Sequence, residues 1–278
     1  MTKPIRQSLN VIFYVVVFFL LQVLTHCLAT LGFYVKQGSG LAEAFGQLTR
    51  RGLSTDIDVI LASTLLSSLL TIWLFLRARW TPFSRDYLRS RPWSALTWVV
   101  LAAFGALAPS IWLNELLSLQ MPESAEHILT EMMRHPMGYL FISILAPVAE
   151  EVVFRGAILY SLLTVMQGRW RWWGAIVISA VIFGIIHGND AQFLHATLIG
   201  LLLGWMYERT RSIFPGLVYH WINNSIVFVA ANLYPGSTTA TLSELAGGSQ
   251  LRVALWVVFS LCIFVPALFQ LNRRLKRG

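Results

Sequence analysis

Between Met137 and Leu163 the chain reads MGYLFISILAPVAEEVVFRGAILYSLL. The run is long enough to cross a hydrocarbon core of about 30 Å as a helix, yet it carries Glu150, Glu151 and Arg155. Each charge near the centre of a membrane helix costs about 2.5 to 3.5 kcal/mol on insertion scales. Three in one span persist when they are paired, hydrated or used. The stretch therefore predicts a membrane helix that carries a functional site.

The rest of the chain fits that reading. Of its 278 residues 56% are hydrophobic and 12% charged, against about a quarter charged in an ordinary soluble domain, and its mean hydropathy is +0.64. An all-α, polytopic membrane protein is expected, with residues 1–278 forming a single membrane domain. The excess of 21 Lys and Arg over 13 Asp and Glu does not point to nucleic acid, because the cations sit at the ends of apolar runs and not on one face. Cys27 and Cys262 lie far apart within apolar runs, with neither disulfide nor zinc-knuckle spacing.

Apolar segments run approximately from 9 to 35, 57 to 77, 94 to 117, 138 to 165, 172 to 188, 191 to 208, 213 to 233 and 251 to 271, which predicts about eight transmembrane helices. The fifth and sixth are separated by the turn-forming Gly188-Asn189-Asp190. With a cytoplasmic N-terminus, the inner segments hold Lys3, Arg6, the arginines at 77, 79, 85, 89 and 91, Arg169, Arg171, Arg209, Arg211, Arg273, Arg274, Lys276 and Arg277. The outer ones hold Lys36, Arg50, Arg51, Arg134 and Arg252. The asymmetry predicts both termini inside. Pro122 to Arg134 reads as an amphipathic helix at the interface, and the tryptophans of Arg169-Trp170-Arg171-Trp172-Trp173 as headgroup anchors.

Helical spacing organises the polar residues. Glu151 and Arg155 are i,i+4 and share a face, whereas Glu150 lies about 100° around the helix, so one glutamate can pair with the arginine while the other points elsewhere. His187 closes the otherwise apolar Phe183-Gly-Ile-Ile-His187, and His220 and Asn224 are again i,i+4. A single buried histidine or an Asn–His pair is more often helix glue than catalyst. Together, a carboxylate, two imidazoles and a carboxamide supply what is needed to add water to a carbonyl. Glu150 would take the proton, His187 would orient or share it, and His220 with Asn224 would face the developing oxyanion. The set Glu150, His187 and His220 also suits a divalent metal such as zinc with an open water position. No His-Glu-x-x-His helix is present, and the residues alone leave metal-bound and metal-free hydrolysis open. His195 is placed to approach the site, but it and His26 read more readily as bonded packing residues.

Glu150-Glu151-Val-Val-Phe-Arg155, Phe183-Gly-Ile-Ile-His187 and His220-Trp-Ile-Asn-Asn224 resemble the ordered motifs E-E-x-x-x-R, F-x-x-x-H and H-x-x-x-N of the CPBP family. That family groups CAAX prenyl endopeptidases with bacteriocin-processing and immunity (Abi) proteins. The resemblance covers about residues 138–230. It implies an intramembrane endopeptidase core with Glu150, His187, His220 and Asn224 as catalytic residues, and Glu151, Arg155 and Phe183 in support. It also implies a membrane-associated protein or peptide as substrate, the lipid bilayer as surroundings and, by analogy, a bacterial inner membrane. The alternative is a bacteriocin-immunity or peptide-binding membrane protein without essential proteolysis. A transporter that uses the glutamates as a relay lacks paired broken helices or an inverted repeat.

Overall fold

The computed structural model describes residues 3–82, 85–234 and 240–276, with side chains from Gln7 onward; Arg277 lies outside the described residues. Every regular element among them is helical. In chain order these are α1 (Lys3–Lys36), α2 (Leu41–Arg51), α3 (Ile57–Arg77), α4 (Asp86–Arg89), α5 (Trp93–Leu116) and α6 (Glu123–Arg134). A segmented helix follows, composed of a π-helical turn (Tyr139–Leu145), α7 (Ala146–Glu151), a second π-helical stretch (Val152–Leu159) and α8 (Tyr160–Val165). The chain continues through α9 (Arg171–Ile185), α10 (Asp190–Thr210), α11 (Phe214–Leu233), α12 (Leu242–Leu245) and α13 (Gln250–Arg274).

Each of the eight apolar stretches is occupied by helix. By length and composition, however, four of these helices qualify to cross a membrane among the described residues: α1, α3, α5 and α13. The bent pair of α6 with Tyr139–Val165 would make a fifth. The expected count of eight is therefore not established by this criterion. The physical reason is visible in the sequence: α9 has 15 residues, and α10 and α11 carry histidine, glutamine and asparagine that lower their hydropathy. The outward faces of α1 and α13 expose Phe19 at 63% and Phe259 at 69%, apolar surface that suits lipid and not water. The chain is an integral membrane protein.

Small residues set the helix packing. A Cβ on Gly200 would lie 3.0 Å from Ala180 Cα, and one on Gly105 would lie 2.9 Å from Ser260 O. Side chains at these points would force α9 from α10, and α5 from α13. The α9–α10 hairpin turns at Gly188, whose φ is +73°, and Asn189 caps α10 by accepting from the Gln192 amide at 3.0 Å. The amphipathic α6 is present as expected and meets the segmented helix at 103°.

The segmented helix departs from simple α geometry beside the glutamates. Pro147, near the start of α7, has no N–H to donate and cannot continue the preceding ladder. Beyond the glutamates, the second π-helical stretch is buried throughout. Neighbouring side chains meet its carbonyls: Thr81 Oγ1 donates to Val152 O at 2.6 Å, and Ser179 Oγ to Phe154 O at 3.1 Å. Such π-helical insertions concentrate at functional sites.

Candidate active site

Glu151 and Arg155 form the buried ion pair that their spacing predicts. Arg155 Nη1 donates to Glu151 Oε1 at 2.8 Å, and the side chains are 1% and 0% exposed. The guanidinium also lies over the Phe183 ring, 4.4 Å from its centroid, a cation–π contact in desolvated surroundings. The edges of His187 and His220 meet the same ring at 5.0 and 5.9 Å between centroids. Phe183 thus does more than fill space, since it joins the arginine to both histidines.

Glu150 faces elsewhere. It lines a cavity of about 260 Å³ together with His187, His220, Asn224 and Phe183, so the four expected catalytic side chains reach one hollow from three helical segments. The segmented helix supplies Glu150, α9 and its C-terminal turn supply His187, and α11 supplies His220 and Asn224. Leu129 and Met132 of α6 also line the cavity.

His220 stands between the two glutamates. Its Nδ1 lies 3.4 Å from Glu151 Oε1 and its Nε2 3.6 Å from Glu150 Oε2. His187 Nδ1 is 2.8 Å from the Phe183 carbonyl; since a carbonyl only accepts, Nδ1 is the nitrogen that donates there. Asn224 Nδ2 donates to Ile142 O at 3.0 Å, leaving its second N–H, while its Oδ1 accepts from Asn223 Nδ2 at 3.2 Å. Trp221 Nε1 donates to the Tyr139 hydroxyl at 3.0 Å, a second tie between α11 and the first π-helical turn. Among the described residues no group of three His, Cys, Asp or Glu side chains is disposed to hold a metal ion.

Two further residues line the site. Asn223 is 3% exposed and lines the cavity; its only sequence signal is its place beside Asn224. His195, expected as a packing residue, is bonded through Nδ1 to Ser110 Oγ at 2.6 Å, yet it also lines the cavity. His26, set apart with it, bonds Ser54 O at 2.9 Å.

Comparison with known proteins converges on the same region. Residues 134–226 match the family described as type II CAAX prenyl endopeptidase Rce1-like, a span that holds all four cavity side chains. Over 107 residues, 38% of the chain, it is 30% identical to 42% of YdiL of Bacillus subtilis (strain 168), named as a candidate membrane peptidase. Over 148 residues, 52% of the chain, it is 25% identical to 59% of the membrane-embedded CAAX protease MroQ of Staphylococcus aureus (strain USA300). The chain spans about half the length of these curated relatives. No solved structure gives a significant match. Residues 134–226 are thus similar to the type II CAAX prenyl endopeptidase Rce1-like family.

Proposed function

We propose that the protein is an intramembrane endopeptidase that hydrolyses a peptide bond of a membrane-associated protein or peptide, with residues 138–230 as its catalytic core in one membrane domain. The observation that carries this reading is the convergence of Glu150, His187, His220 and Asn224 on one cavity, with Glu151 committed instead to Arg155.

Glu150 takes a proton from water as the water oxygen attacks the scissile carbonyl carbon. His187, with its Nδ1 proton spent on Phe183 O, offers Nε2 as an acceptor that orients the water. The carbonyl π pair moves to oxygen, where Asn224 and His220 face the new charge. Collapse breaks the C–N bond, and Glu150 returns the proton to the leaving amine. One water is consumed, and a carboxylic acid and an amine result, which ionise to a carboxylate and an ammonium. The bacterial inner membrane, with both termini cytoplasmic, is the location that the charge asymmetry and the bacterial relatives support.

The test is incubation of the full chain in proteoliposomes with a mixture of membrane-anchored peptides in ¹⁸O-labelled water. Mass spectrometry should find new C-terminal carboxylates that carry the label. Peptides retained intact on the protein would instead make it a binding or immunity protein, and ion flux without cleavage would make it a transporter.

A further inference from the structure

A second cavity, of about 620 Å³, lies away from the glutamates where the N-terminal end of α5 meets the C-terminal end of α13. Both helices are long and apolar enough to cross a membrane, so their ends place this hollow at a membrane surface. Trp93, 65% exposed at the first position of α5, fits an anchor at headgroup level.

The lining is cationic. Arg91, Arg273, Arg274 and Lys276 contribute to it together with Ser90, Ser94 and Tyr87, and no carboxylate lines it among the described residues. Arg274 is held in place, with Nη1 donating to Ser94 Oγ at 2.7 Å and Nε to Gln270 Oε1 at 3.2 Å. Four like charges around one hollow repel one another in the absence of an anion.

Tyr87 also lines the cavity, but its hydroxyl is closed to solvent and has no hydrogen-bond partner among the described residues, so it is the cations and the serines that face the hollow.

We propose that this cavity binds the phosphate of an anionic phospholipid headgroup. The volume accommodates a glycerophosphate, the arginines match phosphate oxygens in geometry and charge, and the position at the ends of two membrane helices puts lipid phosphate within reach. Bound there, the lipid ties the segment before α5 to the C-terminal end of α13.

The experiment measures lipid retention by the purified full-length protein in detergent, using native mass spectrometry with dioleoyl phosphatidylglycerol, dioleoyl phosphatidylcholine or inorganic phosphate. The wild type should retain phosphatidylglycerol in preference to phosphatidylcholine. Arg273→Gln with Lys276→Gln should weaken that retention roughly tenfold with an unchanged unfolding temperature. Arg50→Gln with Arg51→Gln, an equal loss of charge on α2, should leave it unaltered. Equal retention of the two lipids, or an equal loss in the α2 variant, would overturn the proposal. Displacement of the lipid by inorganic phosphate at comparable concentration would identify free phosphate as the ligand and overturn the lipid assignment.

Discussion

His220 Nε2 lies 3.6 Å from Glu150 Oε2, while its other ring nitrogen reaches Glu151. One imidazole therefore couples the carboxylate that faces the cavity to the one locked by Arg155, so the supporting ion pair and the proposed base form one network. Disturbing the pair should be felt at the base, and the predictions separate the two effects.

Glu151→Gln and Arg155→Met should each destabilise the protein strongly, by about 3 to 5 kcal/mol, because each leaves the other charge buried and unpaired. The double variant should recover much of that loss, since it removes both charges together. Thermal unfolding in detergent across the four proteins measures the coupling.

Gly216→Ala should destabilise by about 1 to 3 kcal/mol. The added Cβ would stand 2.9 Å from Glu151 Oε2, which is fully buried and cannot retreat. Gly32→Ala has nothing within 4 Å of the new carbon, and on an exposed stretch of α1 it should be neutral or stabilising by up to about 1 kcal/mol. Unfolding temperatures of the two variants should move in different directions or by clearly different amounts.

Phe183→Leu keeps an apolar side chain but removes the ring under Arg155. It should cost about 0.5 to 2 kcal/mol from the cation–π contact and lower turnover through the two histidines that the ring positions. Unfolding temperature and kcat measured on the same preparation report the two effects separately.

Asn224→Ala should lower kcat by about 10²- to 10³-fold, with a smaller change in KM, if the carboxamide serves the oxyanion. Steady-state cleavage of a membrane-anchored peptide found in the mixture described above gives both constants.

Much of the fold was legible because its cause is local. The eight apolar stretches became helices, the i,i+4 spacing paired Glu151 with Arg155, and the chain turned at Gly188-Asn189 between α9 and α10. The π-helical segments were not legible, because Pro147 signals a break in the ladder but only packing against Thr81 and Ser179 settles how the backbone is satisfied. The bond of His195 to Ser110 joins residues 85 positions apart in sequence, and no helical periodicity reports a contact of that kind. The same limit hid the second bond of His220, since spacing within α11 says nothing of which carboxylate lies across the interface.

Glu150→Gln tests the central claim most directly, because it preserves shape while abolishing the base. The account predicts a fall in kcat of at least about 10²-fold with an unfolding temperature close to that of the wild type. A variant that stays folded and cleaves the same peptide at a rate near that of the wild type would contradict it.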